Sequence, residues 1–158
     1  MPDTNPLSAD VTSIIEGAGR PWLPVPGFEG TFIKVLVADE RLKQVVFMFK
    51  FAPGTQLPRH KHLCHAVGYT LSGEWRYEEG VLAEGSLAYE PFGSDHTPSS
   101  ERGAEILTFL KSEDDRFLEN ELPGGGTLAM DMKFFKFLQS ITPEQAKSLD
   151  LAALMGMG

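Results

Sequence analysis

Short alternating apolar runs, cut by Gly and Pro every few residues, limit this chain to a narrow set of folds. From Gln44 to Phe51, Val45, Phe47, Phe49 and Phe51 fall on one face, and Val46, Met48 and Lys50 on the other. A period of two is the signature of a strand with distinct faces. Pro53-Gly54 ends that run, and Thr31 to Val37 precedes it across a turn near Asp39-Glu40. Further short runs follow, from Ala66 to Leu71, from Glu74 to Tyr77 and from Ala104 to Lys111. Ser72-Gly73, Gly80, Gly85 and Pro91-Phe92-Gly93 punctuate them. Many short strands with closely spaced turns indicate an all-β sandwich or barrel. A chain of 158 residues without repeats or a low-complexity linker implies one domain over 1–158. Residues 1–27 are expected to wrap a barrel formed by 28–140, with a short helical turn near Val11 to Glu16. Residues 141–158 are expected to form a C-terminal helix and tail. Thr142-Pro143-Glu144-Gln145 supplies an N-cap, a proline at the first helical position and an early acid. An apolar stripe then extends the expected helix to about Leu154. Gly124-Gly125-Gly126 reads as a hairpin tip.

The chemistry concentrates on three of the four histidines. His60 and His62, at i and i+2 on a strand, point to one side and set two imidazoles next to each other. That is the arrangement in which two ligands bind one divalent ion at adjacent positions. His96 arrives later, introduced by its own Gly/Pro turn. His65 has the opposite parity and faces away if the strand runs unbroken. Cys64 has the right parity but reads as a small core residue.

The spacing of these residues resembles the two motifs of the cupin superfamily (RmlC-like). The first runs Gly, five residues, His-x-His, three or four residues, Glu, six residues, Gly, and is matched by Gly54, His60, His62, Ala66 and Gly73. The second runs Gly, five residues, Pro-x-Gly, two residues, His, and is matched by Gly85, Pro91, Gly93 and His96. The resemblance implies a double-stranded β-helix, or jelly-roll barrel, with His60, His62 and His96 as metal ligands. Ala66 stands where the glutamate belongs, which implies a site with three histidines and an open position facing Ala66. The segment Gly68 to Glu79, with Gly85 to Pro91 and Asp95-His96-Thr97, is similar to the 2,4'-dihydroxyacetophenone dioxygenase branch. More distantly, the chain resembles the acetylacetone-cleaving enzyme. The first of these likenesses implies a carboxylate midway between the second and third histidines. Glu79 holds that place, as a ligand or as a contact to one, provided that it shares the inward face of Trp75 and Tyr77. Glu90 and Asp95 fit turn or ligand-orienting roles.

The implied activity is oxygenolytic cleavage of a carbon–carbon bond in a hydroxyketone or β-dicarbonyl. Its partners would be a small substrate and O2, with one Fe(II) per chain as cofactor. Three imidazoles also accept zinc, nickel or manganese. Two alternatives stand beside it: a non-catalytic zinc-binding cupin of the anti-sigma kind, and a metal-free sugar-epimerase-like cupin with a histidine base. A net charge of −8 argues against nucleic acid and anionic membrane surfaces. One cysteine permits no intrachain disulfide, and no leader or spanning segment is evident, so a cytoplasmic protein is expected. Open sheet edges and apolar terminal segments predict a homodimer, or a tetramer.

Overall fold

Thirteen strands and two short helices follow one another in a computed structural model that describes residues 12–148 and residue 150. In chain order the first strands are β1 (Leu23–Pro24), β2 (Thr31–Asp39), β3 (Gln44–Phe51) and β4 (Thr55–Gln56). Then come β5 (His60–His62), β6 (His65–Tyr77), β7 (Gly80–Ala83), β8 (Leu87–Glu90) and β9 (Asp95–His96). β10 (Ser99–Ser100), β11 (Ala104–Lys111), β12 (Arg116–Glu121) and β13 (Thr127–Asp131) complete the sheets, before α1 (Met132–Ser140) and α2 (Pro143–Ala146). The larger sheet runs β1-β2-β3-β11-β6-β10-β4, with β7 and β8 also paired to β6. The smaller runs β13-β12-β5-β9. Every pairing is antiparallel. The sheets curl into the expected jelly roll.

The alternation read from β3 sets the core. Val45, Phe47 and Phe51 are buried, while Val46, Met48 and Lys50 lie on the half-buried outer side. Val35, Ile33, Leu110 and Phe117 meet Val45 and Phe47 inside, while Phe51 joins Trp75, Tyr77 and Ile106 in a second cluster. β12 and β13 are joined by the Gly124–Gly126 turn, whose three glycines all have positive φ. Ahead of β1, residues 12–17 have no regular structure, and Val11 lies outside the described residues. The segment lies along β2: the Arg20 guanidinium donates to the Val35 carbonyl (3.2 Å), and Lys34 Nζ donates to the Gly17 carbonyl (3.1 Å). Trp22 packs beside the ammonium groups of Lys34 and Lys50, 4.8 and 5.5 Å from its ring.

Three places bear on the sequence reading, and the first of them corrects it. Residues 132–140, read as barrel, form α1. Asp131 caps it by accepting the Phe134 N–H (2.9 Å), and Met132, Phe134, Phe135 and Leu138 are buried. Phe135 stacks on Phe47 (5.4 Å) and meets Phe117 edge-on (5.7 Å), and such burial contributes about 2–3 kcal/mol. α2 has the expected capping box at Thr142 and Gln145 but is described only over Pro143–Ala146. Residue 149 and residues 151–158, where its extension was expected, lie outside the described residues. Finally, the strand bearing His60 and His62 breaks at Leu63-Cys64. β5 therefore belongs to the smaller sheet, and His65 opens β6 in the larger one.

Gly73 closes the first motif for a steric reason. Its φ is 75°, and a Cβ there would sit 2.1 Å from the Gly103 carbonyl oxygen and 2.8 Å from Ala104 Cα. Gly124 also has positive φ (87°) but has nothing within 4 Å. Gly73→Ala is therefore expected to lower the unfolding free energy by about 3 kcal/mol or more, and Gly124→Ala by only about 1 kcal/mol. Urea denaturation of the two variants checks this, and equal losses would contradict the steric account.

Candidate metal centre

Two very short strands place the imidazoles. β5 pairs with β9 so that His60 faces His96 across the ladder and Lys61 faces Asp95. A bidentate ion pair fixes that junction: Arg59 Nε donates to Asp95 Oδ1 (2.6 Å) and Nη2 to Oδ2 (2.7 Å). The guanidinium holds the Asp95 carboxyl below the usual carboxylate range. His62 and His96 are buried and His60 partly so. The three rings converge, with centroids 4.8 Å (His60–His62), 5.7 Å (His62–His96) and 6.0 Å (His60–His96) apart.

The Nε2 atoms of His60 and His62 stand 2.9 Å apart. Two nitrogens each about 2.1 Å from one ion, at a right angle, are about 3.0 Å apart, so the pair has the spacing of adjacent ligands. Both nitrogens of His96 and Nδ1 of His62 are buried without a hydrogen-bond partner among the described residues. Orphaned nitrogens are costly unless something else satisfies them. Burial lowers the pKa of His60 to about 4, with the neighbouring His96 adding to the shift. Burial lowers His62 to about 3, with His60 and His96 adding to it. Neutral rings are the form that binds metal. On these observations the residues fit a divalent cation.

Two carboxylates approach His96 from opposite edges. Glu79 belongs to the two-residue turn between β6 and β7, is 68% exposed, and places Oε2 3.4 Å from His96 Nδ1. Trp75 and Tyr77 do face inward and are buried, but the strand ends before Glu79, so their shared parity does not carry through the turn. Glu90 lies at the inner edge, 5% exposed, with Oε1 3.6 Å from His62 Nε2 and 3.8 Å from His96 Nε2. Ligating atoms of His62, Glu90 and His96 all lie within 4.8 Å of one another, as do those of Glu78, Glu79 and His96. The Tyr77 hydroxyl donates to Glu90 Oε1, and its ring stacks on His96 at 4.0 Å. Burial raises the Glu90 carboxyl pKa, with the Tyr77 hydrogen bond and His96 opposing.

Sequence reasoning gave Glu90 only a turn or orienting role. The available signal was parity: on β8, Ala88 and Glu90 point inward while Leu87 and Tyr89 point out. Ala66 is buried on the inner face, as expected, with Glu90 as its cross-strand partner on β8 and Leu110 on β11. His65 is exposed, and Cys64 is a core residue.

Beside the histidines lies a cavity of about 80 Å³, walled by Phe47, Phe49, Trp75, Ile106 and Leu110. Its polar lining includes His60, His62 and Glu90. Phe28, Leu57 and Pro58 separate it from a cleft on the outer surface. A second outer cleft, bordered by Glu79, Tyr89 and Ser94, reaches the far side of His96.

The family described as the ChrR cupin-like domain matches residues 11–114. No curated protein matches the sequence. A cupin-like protein of unknown function from Ralstonia eutropha JMP134 is 29% identical, with 79% of this chain and 80% of that one covered and a TM-score of 0.66. An acetylacetone dioxygenase from Acinetobacter johnsonii superposes with a TM-score of 0.67 at 13% identity, covering 84% and 92% of the two chains. The anti-sigma ChrR of Rhodobacter sphaeroides, solved in complex with SigE, gives a TM-score of 0.52 at 20% identity over 60% of this chain and 51% of that one.

The depressed histidine pKa values give the metal-free protein a defined acid response. Unfolded histidines bind protons below about pH 6.5, whereas buried His60 and His62 resist until about 4 and 3. The unfolded state thus holds more protons in that window, and stability falls as pH drops from about 6.5 toward 4. The slope is up to about 1.4 kcal/mol per pH unit for each histidine. Urea midpoints of metal-free protein between pH 7.5 and 4.5 check this, and replacing both His60 and His62 with Ala should flatten the profile.

Proposed function

The chain belongs to the ChrR cupin-like domain family, and we propose that it is a metal-dependent dioxygenase that breaks a carbon–carbon bond of a small hydroxyketone or β-dicarbonyl. The observation that carries this reading is the clustering of the His60, His62 and His96 rings, with His60 and His62 on the polar side of an apolar cavity. Fe(II), when bound, supplies the Lewis acidity that stabilises an enolate and the redox chemistry that O2 requires. His60 and His62 present their Nε2 atoms to it, and His96 its inner nitrogen. Glu79, at the outer edge of His96, sets a carboxylate oxygen 3.4 Å from Nδ1, and that charge would favour a proton on Nδ1 and a free lone pair on Nε2. The aromatic and aliphatic walls exclude water and take up the apolar part of the substrate. Each product fragment takes one atom of O2, and no external reductant is consumed.

A second reading, a non-catalytic zinc-holding module, draws support from the family match and from the anti-sigma neighbour. It uses the same three histidines and consumes no O2. A homodimer is part of either reading, supported by exposed Tyr69, Leu87, Tyr89 and Phe109 on one outer sheet face.

Protein reconstituted with Fe(II) is expected to consume O2 when given a β-dicarbonyl such as acetylacetone or an aryl hydroxyketone. His60→Ala and His96→Ala should each weaken metal retention by about 100-fold or more and abolish uptake. Circular dichroism should show that both variants remain folded. An electrode trace with no uptake, from protein that purifies with stoichiometric zinc, would favour the non-catalytic module.

A further inference from the structure

We infer that Glu90 is the carboxylate ligand of this metal centre, delivered from β8 because Ala66 leaves β6 without one, and that Tyr77 is the residue that positions it. This rests on the metal-binding reading above and not on the dioxygenase chemistry.

The register supplies the first argument. Ala66 and Glu90 are directly opposed antiparallel partners, so both side chains emerge on the same face. Their Cβ atoms are about 5 Å apart in such a pair, a gap that the longer glutamate side chain can span. A carboxylate lost from one strand is thereby returned to the same space from its neighbour.

Distances supply the second. Ligands about 2.1 Å from one ion stand about 3.0 Å apart when adjacent and about 4.2 Å apart when opposite. Glu90 Oε1 lies 3.6 Å from His62 Nε2 and 3.8 Å from His96 Nε2, between those limits. Those two nitrogens are also the ones that face the interior, whereas Glu79 meets the other nitrogen of His96.

The third argument is the company Glu90 keeps. It is 5% exposed, yet among the described residues no Lys or Arg pairs with it. Its polar neighbours are the Tyr77 hydroxyl, His62 and His96. A buried carboxyl among neutral donors is ionised at low cost only beside a cation, and the interior here offers two imidazoles that could share one. Glu79, at an exposed turn, has no such requirement. Tyr77 donates to the oxygen of Glu90 that faces the imidazoles while its ring lies flat on His96, so one side chain orients two ligands.

Co(II), added alone to metal-free protein, tests this through calorimetric affinity and the visible absorption of the bound ion. Glu90→Gln preserves shape and the Tyr77 hydrogen bond, and should lose about 10–100-fold in affinity with a shifted spectrum. The exchange variant Ala66→Glu/Glu90→Ala should recover most of that loss. Tyr77→Phe should lose less than Glu90→Gln and still shift the spectrum, which a purely structural role would not do. Glu90→Gln binding Co(II) with unchanged affinity and spectrum, while His96→Ala loses it, would overturn the inference and leave the metal reading standing. A larger loss from Glu79→Gln than from Glu90→Gln would also overturn it. Undiminished binding in both Glu90→Gln and His96→Ala would remove the metal centre itself.

Discussion

The pairing of β5 with β9 is the contact on which the rest of the site depends, because it is where three residues meet two across a sheet edge. His60 opposes His96 there, and the Arg59–Asp95 ion pair lies one residue away on each strand. Strands this short do not hold themselves together. They are held by β12, which pairs with β5 through Leu118 to Asn120, and by the hydrophobic core beneath Phe117 and Leu118. β12 thus supports the imidazoles directly, with Leu118 opposite His62 and Asn120 opposite His60, and α1 supports them from behind, through Phe135 against Phe117.

Buried polar groups and apolar packing meet at Tyr77. On one side it belongs to an apolar cluster with Trp75, Phe51 and Ile106. Trp75 is itself satisfied by donating Nε1–H to Thr70 (2.8 Å). On the other side Tyr77 reaches Glu90 and His96. Burial and the adjacent Glu90 raise its pKa far above the usual phenol range, so it stays a donor at any working pH. The cavity wall and the polar cluster therefore share one packed side chain, and water-excluding packing is what makes the arrangement of neutral imidazoles demanding.

Much of this was legible in the chain. Val45, Phe47, Phe49 and Phe51 announced a strand with a buried face, and the two Gly-to-His motifs identified the three imidazoles that converge. The remainder failed for identifiable reasons. Met132 to Leu138 carries aromatic residues that suit a strand as well as a helix, and the Asp131 cap decides between them only once Phe47 and Phe117 are in place. Parity held for His65, which is exposed as expected despite the break at Leu63-Cys64, but the turn at Glu78-Glu79 ends the face shared by Trp75 and Tyr77 before it reaches Glu79. On β8 the usual hydrophobic rule is inverted, with Tyr89 77% exposed and Glu90 buried. Which strand lies beside Ala66 is a matter of register, and register comes from pairings far apart in sequence.

Cys64 sits at the break between β5 and β6, two residues beyond His62. It is 1% exposed, and burial, with the charge of Glu90, pushes its thiol up to about 12. A thiol so placed is inert toward alkylating and disulfide reagents until the surrounding sheets separate. As the chain's one cysteine, it gives each molecule a single chemical clock. In the regime where reclosing outpaces labelling, its rate reads the free energy of local opening at the hinge between the two sheets. Loading the site with an ion should slow that clock to the extent that the ion binds the closed form alone.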